Sequence, residues 1–218
     1  MYNQAHKSIL RHNRGALQAR TGVQMKKFVI ISALFLALSA LVLSAFGCHA
    51  SAPPAQDSSK STESETSFQY AKHLVQGMAF ANADKHDQAI SEFNKAIDLD
   101  PENVNNAAVY VSLAISYIYI GEYDKAIAAC TKSLELKPDN DQAYFYRGAA
   151  YAYNSEYDRA ITDFTKSLEL KPDNDLAYMG RGIAYGHKGE TNKAVADFAK
   201  AIKLNPKNAD LLKEELEK

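Results

Sequence analysis

Cysteine is scarce in this chain of 218 residues: there are two, Cys48 and Cys130. Two cysteines make at most one disulfide, which excludes a disulfide-stapled scaffold. Their spacing fits no zinc pattern and the six histidines are scattered, so no metal site is expected. Acidic residues are missing altogether before Cys48, where six of the 25 basic residues stand (Lys7, Arg11, Arg14, Arg20, Lys26, Lys27). From His49 onward 19 basic residues face 26 acidic ones, a balance of −7. That acidity, with no Lys/Arg patch interleaved with aromatics, argues against nucleic acid as a partner. Catalytic motifs are also lacking: there is no G-x-S-x-G, no H-E-x-x-H and no glycine-rich phosphate loop. Neither enzymatic activity nor a cofactor is expected. Acid pairs such as Asp139 and Asp141 fall at turns, where helix capping accounts for them.

Charge is absent from one long stretch, and there the absence carries information. Phe28 to Gly47 reads FVIISALFLALSALVLSAFG, 20 residues without a charge, preceded by Met25, Lys26 and Lys27 and followed by Cys48. Lysines before an apolar run and small residues at its end have the order of a bacterial secretory signal. The lysines stay on the cytoplasmic side while the apolar run enters the bilayer. SAFGC at 44–48 resembles the end of a lipoprotein signal, with small Gly47 directly before a cysteine. That resemblance implies cleavage after Gly47 and a lipid on Cys48. His49 following it, rather than Asp, implies the outer membrane in a Gram-negative cell. Two alternatives stay open: the run is long enough to remain as a spanning anchor, or cleavage falls after Ala50. Residues 1–24 are polar and basic and fit an over-long start or a disordered leader, with Met25 as the natural beginning. From 48 to 69 the chain is rich in Ser, Thr, Pro and Glu and nearly free of large apolar residues, so it reads as a flexible tether. Twenty such residues span about 25 Å.

Beyond residue 69 the chain repeats itself. TKSLELKPDND stands at 131–141 and again, unchanged, at 165–175, an offset of 34. Pro138, Pro172 and Pro206 keep that spacing, as do Ala126, Ala160 and Ala194; Pro101 and Ala89 precede their series by 37. The three extra residues fall near Val104–Asn106. The blocks are 70–103, 107–140, 141–174 and 175–208, and each reads as two helices. In the third, Tyr144, Arg147, Gly148 and Tyr151 form one stripe at helical spacing. Tyr157, Ala160, Ile161, Phe164, Ser167 and Leu168 form the next. Lys-Pro-Asp-Asn then stops one helix and caps another.

These blocks resemble tetratricopeptide repeats, whose signature places an aromatic, Leu-Gly, Tyr, Ala, a second aromatic and Pro over 34 residues. Block four supplies Tyr178, Gly182, Tyr185, Ala194, Phe198, Ala201 and Pro206; block two supplies Tyr110, Leu113, Ala114, Tyr117, Ala126, Ser133 and Pro138, with Cys130 in the second aromatic place. Block one supplies His73, Gly77, Phe80, Ala89, Phe93, Ala96 and Pro101. The resemblance implies an all-α, right-handed solenoid of four helix-turn-helix units. ADLLKEELEK at 209–218 would close it as a capping helix. Arg147 and Arg181 recur where Asp163 and Asp197 recur, and both partners are replaced together in block two by Leu113 and Ala129. Arg147–Asp163 and Arg181–Asp197 contacts are therefore predicted. Cys130 reads as an inert packing group.

In this family the first helices line a concave groove. Their non-core face here carries Leu74 and Met78; Val111, Ile115 and Tyr119; Phe145, Ala149 and Tyr153; and Met179, Ile183 and His187. That face is apolar or aromatic for most of its length and suits an apolar peptide or partner helix. Family members that grip carboxylate tails use groove lysines and asparagines. This chain has Leu74, Met78, Ser112, Gln142 and Tyr146 there, which argues against that ligand. The expectation is a non-catalytic scaffold or adaptor for other proteins in the bacterial cell envelope. The second reading is a homo-oligomer, self-associating through the groove.

Overall fold

The computed structural model describes residues 58–209, with side chains from residue 65. Met25–Gly47, Cys48 and nearly all of the 209–218 capping segment lie outside the described residues. Among the described residues there are eight α-helices and no strand: α1 Ser58–Asn82, α2 His86–Leu99, α3 Asn106–Ile120, α4 Tyr123–Leu136, α5 Asp141–Tyr153, α6 Tyr157–Leu170, α7 Asp175–His187 and α8 Thr191–Leu204. They pair as α1/α2, α3/α4, α5/α6 and α7/α8, one pair per block. Each second helix also packs on the first helix of the next block. Among α3 to α8, first helices of successive blocks touch one another, whereas second helices do not do so to any comparable extent. The first helices therefore form the inner wall of a curved stack.

One boundary differs from the sequence reading. Helix α1 begins at Ser58, so the tether expected through residue 69 is helical from 58 onward. Between Ser58 and Gly77 there is neither proline nor glycine to stop it. Once the packed part of α1 has formed, each residue added backward gains a hydrogen bond without a new nucleation cost. The Gln69 amide donates to the Glu65 carboxylate one turn earlier at 2.7 Å.

The turn inside each block passes through a left-handed residue at one register: Asp84 (φ 61°), Gly121 (φ 83°), Ser155 (φ 61°) and Gly189 (φ 76°). The reversal between helices demands that conformation, and only two blocks meet it with the residue that adopts it freely. The turn between blocks is made by the duplicated peptide. Asn140 and Asn174 cap α5 and α7, each accepting from a backbone N–H three residues on (Ala143 at 3.3 Å, Ala177 at 3.2 Å). In the first copy the Asn140 amide donates to Ser133 Oγ at 3.0 Å, and that hydroxyl donates to the Ala107 carbonyl at 2.7 Å. After the first block Asn106 serves this purpose. It is fully buried, donates to the Asp100 and Pro101 carbonyls (2.7 and 3.1 Å) and accepts from the Tyr70 hydroxyl at 3.0 Å. The three-residue insertion is thus absorbed before Asn106. Burial, and secondarily Asp100, pushes the Tyr70 phenol above its ordinary pKa.

Volumes in the core are traded between blocks. Phe93, Phe164 and Phe198 each press on a glycine of their own block: a Cβ added at Gly77 would meet Phe93 Cε1 at 2.6 Å, at Gly148 Phe164 Cδ1 at 3.1 Å, and at Gly182 Phe198 Cε1 at 2.6 Å. Phe164 also reaches the next block, where a Cβ on Gly180 would meet its Cζ at 2.6 Å. In block two the aromatic is replaced by buried Cys130, and both neighbours grow: Ala114 stands at the glycine place and Tyr146 stands where block four has Gly180. Interiors are packed to near-crystal density, so one missing ring must be refilled from its surroundings.

Candidate partner-binding groove

The ion pairs expected from the repeat pattern are present. Arg147 Nε and Nη2 donate to the Asp163 carboxylate at 2.7 and 2.9 Å, and Arg181 binds Asp197 in the same fork at 2.7 and 2.8 Å. Each arginine also donates backward, to Thr131 at 3.3 Å and to Thr165 at 3.1 Å. These threonines open the two copies of the duplicated peptide, so each arginine ties its own helix pair to the preceding block. The Asp163 and Asp197 hydrogen bonds raise both guanidinium pKa values further. Block one solves the same problem with other residues. His73 Nδ1 lies 2.6 Å from Glu92, whose second oxygen accepts from Lys95 at 2.7 Å. The Lys95 ammonium, then the His73 ring, holds the Glu92 carboxyl below the ordinary glutamate range.

With its arginines committed in this way, the inner wall is close to uncharged. Helices α3, α5 and α7 contain four Asp or Arg residues: Asp141 and Asp175 in the first turns, and the paired Arg147 and Arg181. Of the side chains assigned to the groove from sequence, Leu74, Ile115, Tyr119, Phe145, Ala149, Tyr153 and Ile183 are part-exposed on first helices, and Met78 and His187 are exposed. Val111 and Met179 are not available: they are 4% and 2% exposed. Phe145, at the same register on α5, stays part-exposed.

Three assigned residues have partners that the sequence reading missed. Tyr119 stacks on His86 with ring centroids 4.2 Å apart, Tyr153 on Tyr123 at 5.0 Å, and His187 on Tyr157 at 4.6 Å. Each stack joins the end of a first helix to the opening residue of the preceding second helix. Beside two of the stacks lies a polar tie across the same junction: the Asn154 amide donates to Asp124 at 2.7 Å, and Lys188 donates to Asp158. The rim of the groove is thus a ladder of aromatic pairs pinning block to block. Tyr123 and Tyr157 stand 34 residues apart, which marks them as equivalent positions but does not name the rings they stack on. Tyr146, set beside the groove in the sequence reading, is buried instead. Burial raises its phenol pKa, with nearby Tyr119 and Cys130 adding to the rise. Burial likewise keeps the Cys130 thiol protonated.

Stacked helix pairs with a continuous, nearly uncharged inner wall define a protein-interaction solenoid. Tetratricopeptide repeat profiles match residues 73–103, 107–140, 142–174 and 176–208, and the chain belongs to that family. It is 34% identical over 74 residues to the mitochondrial import receptor subunit TOM70 of Saccharomyces cerevisiae, a match covering 34% of this chain and 11% of that protein. The chain therefore spans about a tenth of its curated relative. Among solved structures, a crystal structure of MamA superposes with a TM-score of 0.58 at 28% identity, covering 65% of this chain and 81% of that one. The second tetratricopeptide domain of human RPAP3, solved with an HSP70 peptide, superposes with a TM-score of 0.51 at 25% identity, covering 55% of this chain and 97% of that one.

Proposed function

We propose that the domain is a non-catalytic adaptor that takes an apolar peptide or a partner helix along its inner wall. The observation that carries this reading is the wall itself: part-exposed Ile115, Phe145, Ala149 and Ile183 on successive first helices, with no uncommitted arginine and no lysine among α3, α5 and α7. A surface of that kind recognises apolar side chains presented at regular spacing. The related domain solved with a bound peptide supports an interaction role for the fold. A photo-crosslinking residue placed at Ala149 in the full chain, in its native cells, is expected to trap one defined protein. Ile115→Arg with Ile183→Arg should abolish that adduct while the helical circular dichroism is unchanged. An adduct indifferent to the two arginines would place the partner elsewhere.

The domain is proposed to work at the bacterial envelope, exported by the 25–47 segment and anchored through lipid on Cys48. The order of lysines, apolar run, Gly47 and cysteine supports this. In cells fed labelled fatty acid, Cys48→Ser is expected to lose both label and membrane retention. Undiminished retention would instead make residues 28–47 a permanent span.

A further inference from the structure

The first helix carries a face that the repeat pattern leaves without a neighbour. In each later block, the first helix is covered on one side by the preceding second helix. The covered positions are Val109, Ala143 and Ala177 at one register and Ser116, Ala150 and Ala184 seven residues on, all buried. The equivalent residues of α1 are Lys72 and Ala79, and both are exposed. Around them Glu65, Phe68, Lys72, Val75 and Ala79 form one stripe with alternating spacings of three and four. Phe68 is 64% exposed and Val75 52%.

This face is not fitted to one more repeat, which would bury Lys72 where the other blocks bury Val or Ala. It is fitted to itself. From the N-terminal end it reads acid, aromatic, base: Glu65, Phe68, Lys72. An antiparallel copy of α1, with the two-fold axis between Phe68 and Gln69, sets Glu65 opposite Lys72 of the second copy and Lys72 opposite its Glu65. The two Phe68 rings then meet at the axis. A parallel pairing would oppose like charges at both places. Such an interface is isologous and closes at two subunits.

We propose that the chain forms an antiparallel dimer through the exposed face of α1, with two symmetric Glu65–Lys72 pairs flanking a Phe68–Phe68 contact. This leaves the inner walls of both copies free for a partner, and it stands whatever the groove binds. The test is sedimentation equilibrium of the full chain in detergent micelles, with circular dichroism to check the fold. Either Glu65→Lys or Lys72→Glu turns two attractions into two repulsions and is expected to weaken the dimer about tenfold. The double swap Glu65→Lys with Lys72→Glu should return the dissociation constant to within about threefold of the natural chain. Phe68→Asp should abolish the dimer, and Tyr153→Ala in the groove should leave it unchanged. A monomer at every concentration would overturn the proposal. So would a double swap as weak as the single changes, or a dimer that responds to Tyr153→Ala and not to charge reversal.

Discussion

Replacing Cys130 by phenylalanine, the residue three of the four blocks already use at this place, is expected to destabilise the domain by about 3 kcal/mol. Cys130 is fully buried, and its surroundings have been filled from both sides. Ala114 holds the place where the other blocks have glycine, and Tyr146 holds the place of Gly180. Phe164 shows what a phenylalanine needs: a Cβ would lie 3.1 Å from its ring at Gly148 and 2.6 Å at Gly180, so neither neighbour carries one. A ring at 130 meets a methyl group and a tyrosine instead. The triple variant Cys130→Phe, Ala114→Gly, Tyr146→Gly copies the arrangement around Phe164. Its two new helix glycines cost about 1 kcal/mol each, yet it is expected to be more stable than the single change. Urea unfolding of the three proteins checks this. A triple variant no better than the single would mean that the blocks are not exchanging volume at this junction.

Breaking one ion pair from one side should cost about as much. Asp163 is 5% exposed in the natural protein, and Arg147→Ala takes away its fork partner, a loss of about 3 kcal/mol. Block two supplies the repair. It has Leu113 and Ala129 at the two positions and buries both without a charge. Arg147→Leu with Asp163→Ala is therefore expected to lie within about 1 kcal/mol of the natural protein, because replacing a buried pair by apolar residues is often near neutral. Thermal unfolding of the single and double variants decides it. A double variant as unstable as Arg147→Ala would show that the tie to Thr131, which the leucine cannot make, matters more than the aspartate pair.

The same reasoning shows why some features could be read from the chain and others could not. The Arg–Asp pairs were legible because their partners recur and disappear together at a fixed spacing, and within one helix pair the distance in sequence fixes the distance in space. The Asn140 and Asn174 caps were legible because capping is local. The partner of Glu92 was not. The repeat register points to Gln76, but His73, one turn earlier, is the side chain that reaches the carboxylate. The aromatic ladder and the burial of Val111 and Met179 were misjudged for a common reason. Both depend on how closely one block sits on the next, and a helical wheel drawn for a single helix does not contain that contact. The start of α1 was misplaced because Ser- and Glu-rich sequence carries no packing of its own, while a helix already anchored from Phe80 to Tyr70 can extend through it.

By itself, then, the sequence determined the number of repeats, the pairing of helices and which charges would meet inside a pair. Those follow from periodicity and from contacts between residues close along the chain. The tertiary structure alone decided which groove side chains remain reachable, which neighbour makes room for each large residue, and which face of α1 stays bare. These depend on the separation and rotation of successive blocks, set by the combined volumes of side chains far apart in sequence, such as Cys130 and Tyr146 or Phe164 and Gly180.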